Sequence, residues 1–263
     1  MKKLILDEFK KFKASKLLMG LFMVPVVIMI IVGFLKYTPL YLEHGYMLPF
    51  FIHAFWIDIH FFLYGLIVIK MVASEFGSGV VGNSIRAGVD RKQYFISKCI
   101  TIVIVTAVSE LLMSLVLLTT LVLKYGIELD FSFSADFIFK FFMHYLVMLF
   151  LTCIMNAVAM LISYICKNFI FATAICFVLF VIVDVRLTIN TLNSAICGPL
   201  GLIFRSFRSV AGTVSINDVY IFSGEFALAL IPSIIVGVVA VAASYIIFKN
   251  QKFATIEEKE AEQ

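Results

Sequence analysis

The chain has 263 residues, of which 62% are hydrophobic and only 14% are charged. This composition lies outside the range of soluble domains, so it excludes a soluble enzyme or binding module and indicates an integral membrane protein. The formal net charge of +4 accompanies long apolar runs, so we interpret it through membrane topology and not as a sign of nucleic-acid binding.

Residues 1–16 are predicted to form an amphipathic helix. Leu4, Ile5, Phe9 and Phe12 recur near one side of this helix, whereas its lysines fall mainly on the other side. That pattern is typical of a helix lying in the headgroup plane of a bilayer. The alternative is a solvated basic leader that only sets the topology.

Six apolar runs follow, and each is close to the roughly 20 residues that a bilayer-spanning helix needs. We predict transmembrane helices over residues 17–35, 50–72, 99–123, 139–165, 169–187 and 223–248. Little more than Lys167 and Asn168 separates the fourth run from the fifth, which predicts a tight hairpin. The expected fold class is therefore an all-α membrane protein with about six spans in a transmembrane domain of residues 17–248.

Lysine and arginine are concentrated in alternate loops, which places both termini in the cytoplasm under the positive-inside rule. Segment 74–98 is then cytoplasmic, residues 188–222 are external, and residues 249–263 form a short cytoplasmic tail. The external segment is moderately hydrophobic and is interrupted by glycine and proline. We expect a broken, re-entrant helical hairpin there in preference to a loose loop.

Several familiar catalytic motifs are absent from the sequence. It has no G-x-x-x-x-G-K-[ST] phosphate loop, no H-E-x-x-H pair and no G-x-S-x-G elbow, so we expect no catalytic residue, bound cofactor or metal in this chain. The cysteines have no C-x-x-C spacing and are interpreted mainly as small apolar packing residues.

Four ionisable residues fall within predicted spans and are candidates for a translocation path. They are His53, Asp58, His60 and Glu110. The two histidines share nearly the same helical face, so a proton or metal site is conceivable. The plainer interpretation is that these polar groups line the bundle interior or an aqueous path.

Segment 74–98, "SEFGSGVVGNSIRAGVDRKQYFISK", is polar and rich in glycine between two apolar runs. It resembles the cytoplasmic signature of ABC type-2 exporter permeases, in which an acidic residue and a glycine open a short helix, and an arginine and an aromatic residue lead to a lysine. The matching residues are Glu75, Gly79, Gly88, Asp90, Arg91, Lys92, Tyr94, Phe95 and Lys98. The family often has a proline before the arginine, and "AGVDRK" has none.

The resemblance implies a coupling helix, around Glu75 to Arg86, that docks on a separate ABC ATP-binding subunit. That subunit would hold ATP and Mg²⁺ and drive alternating access in a homodimer or heterodimer of permeases. Phe76 and Val80 would supply apolar contact, Glu75 and Arg86 a polar rim, and Gly79 and Gly88 the sharp entry and exit of the helix. Arg91, Tyr94 and Lys98 would carry the motion back to the next span.

The resemblance also suggests a substrate and a location. Small permeases of the lantibiotic-immunity and peptide-export branch handle amphipathic or antimicrobial peptides in the bacterial plasma membrane. Lipids, drugs and glycan precursors are alternative cargoes. Two other classes stay open: a proton-coupled carrier or channel that uses the intramembrane histidines and carboxylates, and a membrane scaffold or sensor that binds an ATPase without transport.

Overall fold

The computed structural model describes residues 1–34, 57–125, 135–188 and 224–251, and these ranges contain helices and no strand. The eight helices are α1 (Lys2–Ala14), α2 (Lys16–Phe34), α3 (Ile57–Gly77), α4 (Val80–Arg86), α5 (Arg91–Tyr125), α6 (Ala135–Cys166), α7 (Phe169–Thr188) and α8 (Gly224–Lys249). The expectation of an all-α chain is thus confirmed for the residues described.

A helix occupies each of the six places where the sequence predicts a span. Residue 35 of the first span, residues 50–56 of the second and residue 223 of the sixth lie outside the described ranges. Within those ranges, the stretches Arg91–Val116 and Leu149–Cys166 are long and apolar enough to cross a membrane. α3 and α4 add a third candidate if this bent pair counts as one span. The described residues therefore hold two or three candidate spans.

Two predicted elements fall largely beyond the described residues. Thr188 ends α7, and the rest of the predicted external hairpin at 188–222 is not described. The predicted tail at 249–263 is described only as far as Gln251.

α1 has one buried side, as its amphipathic pattern predicts. Glu8 and Phe12, one turn apart, are buried, whereas Lys10 and Lys13 are exposed. The helix ends at Ser15, which is extended (φ −84°, ψ 107°) and accepts a hydrogen bond from Leu18 N to its Oγ at 3.4 Å. α1 and α2 are therefore separate helices joined at a single capping residue.

The connection between α6 and α7 is a tight turn, which confirms the predicted hairpin. Lys167 adopts a left-handed backbone conformation with φ 53°. Asn168 Oδ1 accepts hydrogen bonds from the backbone N–H groups of Ile170 at 2.8 Å and Phe171 at 3.4 Å. The asparagine thereby caps the first turn of α7 and lets the chain reverse within two residues.

Aromatic side chains hold the ends of α3, α5, α6 and α8 together beside α4. The ring of Tyr164 lies 5.6 Å from Phe76, 5.8 Å from Phe95 and 5.5 Å from Phe248, centroid to centroid. Tyr94 stacks on Phe248 at 5.8 Å. Such ring pairs stabilise a packed cluster beyond their apolar burial, so these four helix ends form one unit.

Arg91 fastens the end of α8 to this unit. Its Nη1 donates hydrogen bonds to the carbonyl oxygens of Lys249 at 2.5 Å and Gln251 at 2.9 Å. Gln251 Nε2 in turn donates to the carbonyl oxygen of Tyr164 at 3.3 Å. The guanidinium thus satisfies carbonyl groups that a helix C-terminus leaves without an internal partner.

Candidate functional site

The segment between α3 and α5 contains a short helix set between two left-handed glycines. Gly79 (φ 72°) precedes α4 and Gly88 (φ 88°) follows it. The axis of α4 is bent by 66° from that of the stretch Phe62–Gly77. L-residues adopt positive φ only at a cost, so glycine at both positions permits the sharp entry and exit that the sequence predicts.

The predicted bounds of the coupling helix are wrong. A single helix was expected from about Glu75 to Arg86, but α3 continues through Glu75 and Phe76 to Gly77, and α4 comprises only Val80–Arg86. Glu75 is thus a residue of α3, and its cationic partners come from α1 and α5, as described below. The break comes instead at Ser78 and Gly79.

α4 has an inner and an outer face. Val81 and Gly82 are buried against the bundle, and Val80 is half-buried. Asn83 and Arg86 are exposed, as are Ala87 and Gly88 of the following turn. The outer face, Asn83 and Arg86, is thus a small polar surface on a helix that packs against the bundle through its other side.

Four charged side chains of alternating sign lie beneath α4 and join three parts of the chain. We call Glu8, Lys11, Glu75 and Lys98 the charge cluster. Lys98 Nζ contacts carboxylate oxygens of both Glu8 and Glu75, the latter at 2.7 Å. Lys11 Nζ lies 2.7 Å from Glu8 Oε1 and 3.2 Å from Glu75 Oε1.

The charge cluster is largely removed from solvent. The side chains of Lys98, Glu8 and Glu75 are 2%, 6% and 13% exposed. Charges buried to this degree are stable only when they are paired, and each cation here touches both carboxylates. The cluster therefore fixes α1 to the end of α3 and the start of α5.

Lys11 and Tyr94 complete this arrangement. Burial acts to lower the pKa of Lys11, but the carboxylates of Glu75 and Glu8 outweigh it and hold the pKa above its usual value, so this lysine is cationic at neutral pH. The Tyr94 hydroxyl donates to Glu75 Oε2 at 2.5 Å, and Lys98 Nζ lies 5.6 Å from the Tyr94 ring centroid. Tyr94, which also stacks on Phe248, thus links the charge cluster to the packed aromatic rings.

The predicted coupling residues lie in two different environments. Gly79, Arg86 and Gly88 lie on or beside α4, whereas Phe76, Tyr94 and Lys98 pack inside the chain. The expected place of Glu75 on an exposed rim is wrong, because its carboxylate is held by lysines from α1 and α5. Sequence reasoning missed Glu8, although an acidic residue on the apolar side of a basic helix is a usable signal.

The candidate path residues are only partly described. His53 lies outside the described residues, and Asp58 and His60 lie in the first turn of α3. Glu110 is fully buried in α5, and its Oε1 accepts a hydrogen bond from Thr152 Oγ1 of α6 at 2.7 Å. One turn away, Asn156 Nδ2 donates to Thr106 Oγ1 at 2.9 Å. Polar contacts thus link α5 and α6 in the bundle interior.

Gly88 allows a direct test of the backbone geometry around α4. A Cβ at Gly88 would meet nothing within 4 Å, so replacement by alanine should cost only the left-handed strain, about 1 kcal/mol. Gly77 is the matched control, because it is helical and equally open, and alanine there should not destabilise. Thermal unfolding in detergent micelles compares the two; equal losses would contradict the assigned conformation.

Comparison with known proteins gives one family match. A family model described as ABC-2 family transporter protein matches residues 4–183, a range that includes most of α1, the charge cluster and α4. No curated protein matches the chain significantly. The match covers more than half of the 263 residues.

Proposed function

The chain belongs to the ABC-2 family of transporter membrane proteins, and from this premise we propose that it is the membrane subunit of an ATP-driven exporter. ATP and Mg²⁺ bind a separate ATP-binding subunit, and this chain binds neither. The exposed face of α4 docks on that subunit. The observation that carries the proposal is the placement of α4: its outer face is polar and exposed, while buried charges tie the helices on either side of it, α3 and α5, to α1.

This arrangement supports a mechanical role for the segment. A displacement of Asn83 and Arg86 is transmitted to the bundle through the buried side of α4 and through Glu75 at the end of α3. The charge cluster then passes the displacement to α1 and α5 together, since the same lysines and carboxylates hold all three. Packed interfaces of this kind move as rigid bodies and do not deform continuously.

The membrane topology forms part of the proposal. α2, α3, α5, α6, α7 and α8 cross the bilayer, both termini lie in the cytoplasm of a bacterial cell, and segment 188–222, nearly all of which lies outside the described residues, is external. The apolar sequences of the six runs and the distribution of lysine and arginine support this topology. Six helices are too few to enclose a wide path, so two permease chains, identical or related, form the pathway.

The substrate class proposed is an amphipathic or antimicrobial-type peptide, moved by alternating access. The support is the resemblance of segment 74–98 to the small peptide-export and immunity permeases, together with a chain rich in phenylalanine and methionine that offers an adaptable apolar surface. Lipids, drugs and glycan precursors are the competing cargoes. Efflux of a labelled amphipathic peptide from proteoliposomes, with a labelled lipid as competitor, separates them.

The docking proposal is tested by co-expression with a candidate ABC ATP-binding subunit from the same organism. The chain should retain that subunit through purification, and Asn83→Trp combined with Arg86→Glu should reduce its binding at least tenfold, because bulk and reversed charge enter the centre of a small interface. Lys249→Glu, an exposed charge reversal at the end of α8, is the matched control. Equal retention by all three proteins would reject α4 as the docking surface.

A further inference from the structure

An open apolar groove runs along the surface of the bundle between α5 and α8, with α6 at its floor. Its volume is about 590 Å³. α8 approaches α6 so closely at Gly237 that a Cβ there would lie 3.0 Å from Ile154 Cγ1. The outer wall is formed by residues of α8 that are partly open to the surroundings: Ile234, Val238 and Val241 are 40%, 63% and 38% exposed.

The two ends of the groove differ in chemistry. At one end, Phe95 of α5 and Tyr245 of α8 meet at 5.3 Å between ring centroids and close the gap between the helices. Among the described residues that line the groove, Lys92 is the charged one, and it lies beside this end. The exposed Lys249 lies one turn beyond Tyr245. The other end, at Ile234 and Phe150, is apolar.

The dimensions of the groove fit one chain of a lipid. The helical rise from Ile234 to Tyr245 gives a length of about 16 Å, which is close to half of the roughly 30 Å hydrocarbon core. Spread over that length, 590 Å³ corresponds to a cross-section of about 37 Å². An extended alkyl chain lies within such a section along its whole length, whereas an α-helix of a second protein, about 10 Å across, would fill the open mouth of the groove as well.

We propose that this groove binds an anionic phospholipid, with one acyl chain along α6 and α8 and the phosphate at Lys92. The length of the groove matches the thickness of one leaflet, so an acyl chain lying along it has its headgroup at the cationic end. Lysine at that end attracts a negatively charged headgroup. The inference requires only that the chain lies in a membrane and does not rest on an ATP-binding partner.

Native mass spectrometry of the full chain in detergent tests the site, with an equimolar mixture of phosphatidylglycerol and phosphatidylcholine of identical acyl chains. Phosphatidylglycerol should be retained about fivefold over phosphatidylcholine, the preference that one lysine near the headgroup supplies. Lys92→Gln should abolish this preference while leaving retention of phosphatidylcholine unchanged. Lys92 is exposed, so the variant is expected to fold.

A second variant separates the groove from general lipid contact. Val241→Trp places an indole in the groove and should lower retention of both lipids. The control is Ile175→Trp, at a position of α7 that is 45% exposed and does not line the groove. Unchanged lipid retention in Lys92→Gln and Val241→Trp would overturn the proposal, as would loss of self-association in Val241→Trp with lipid retention intact, since that result would make a second copy the occupant.

Discussion

Replacing Lys98 by methionine is expected to destabilise the protein by about 3–5 kcal/mol, the typical cost of removing one partner from a buried ion pair. Methionine preserves much of the side-chain volume, so the cost comes from charge. Without Lys98, the carboxylates of Glu8 and Glu75 stay buried and close together, and among the described residues the half-exposed Lys11 is left to pair with both. Thermal unfolding in lipid nanodiscs measures the loss.

The control for this change is Lys10→Met. Lys10 pairs with Asp7 at 3.2 Å on the exposed side of α1, and exposed pairs of this kind contribute little. The variant Glu8→Gln combined with Lys98→Met should recover part of the loss, because it removes one of the two stranded charges. If Lys98→Met were no more harmful than Lys10→Met, the charge cluster would not hold α1 to α5.

Replacing Glu110 by alanine should cost about 2–4 kcal/mol, because it opens a cavity and removes the acceptor of the Thr152 hydroxyl. Glu110→Gln should cost much less, since the amide oxygen can still accept the hydrogen bond that Thr152 donates at 2.7 Å. Thermal unfolding of both variants in nanodiscs gives the comparison.

The same pair of variants separates the proposed exporter from a proton-coupled carrier. If Glu110 only packs α5 against α6, Glu110→Gln retains ATP-driven transport. A proton relay requires a carboxyl group that exchanges its proton, so a carrier would lose transport in Glu110→Gln and would work without any ATPase. Transport by the glutamine variant in proteoliposomes, with and without the ATP-binding subunit, measures the difference.

Hydrophobicity predicted the helices well because each is long and apolar. α7 (Phe169–Thr188) and α8 (Gly224–Lys249) begin and end within one residue of the predicted runs. The predicted third span begins at residue 99, whereas α5 begins at Arg91, because the residues "RKQYFISK" are helical but too polar to be predicted as membrane sequence. Asp90 caps the first turn of α5, because its Oδ2 accepts a hydrogen bond from Gln93 N at 3.1 Å.

The partners of the polar side chains were less predictable. The sharp turns on either side of α4 are predictable, because glycine adopts positive φ readily and this property depends only on the residue itself. Gly79 and Gly88 both have positive φ. The pairing of Glu8 with Lys98 joins residues 90 positions apart. Periodicity within one helix contains no information on such a contact. The sequence therefore predicts Glu75 on the polar rim of the coupling helix and Lys98 at the start of the next span, and it does not show that the two pair inside the chain.

The central claim is that the outer face of α4 receives the ATP-binding subunit, and site-specific photo-crosslinking tests it most directly. A photoreactive residue at Asn83, which is exposed on α4, should form an adduct with the co-expressed ATP-binding subunit. The same residue at Leu123, which is 74% exposed near the far end of α5, should form none. An adduct from Leu123 and none from Asn83 would contradict the proposed docking surface.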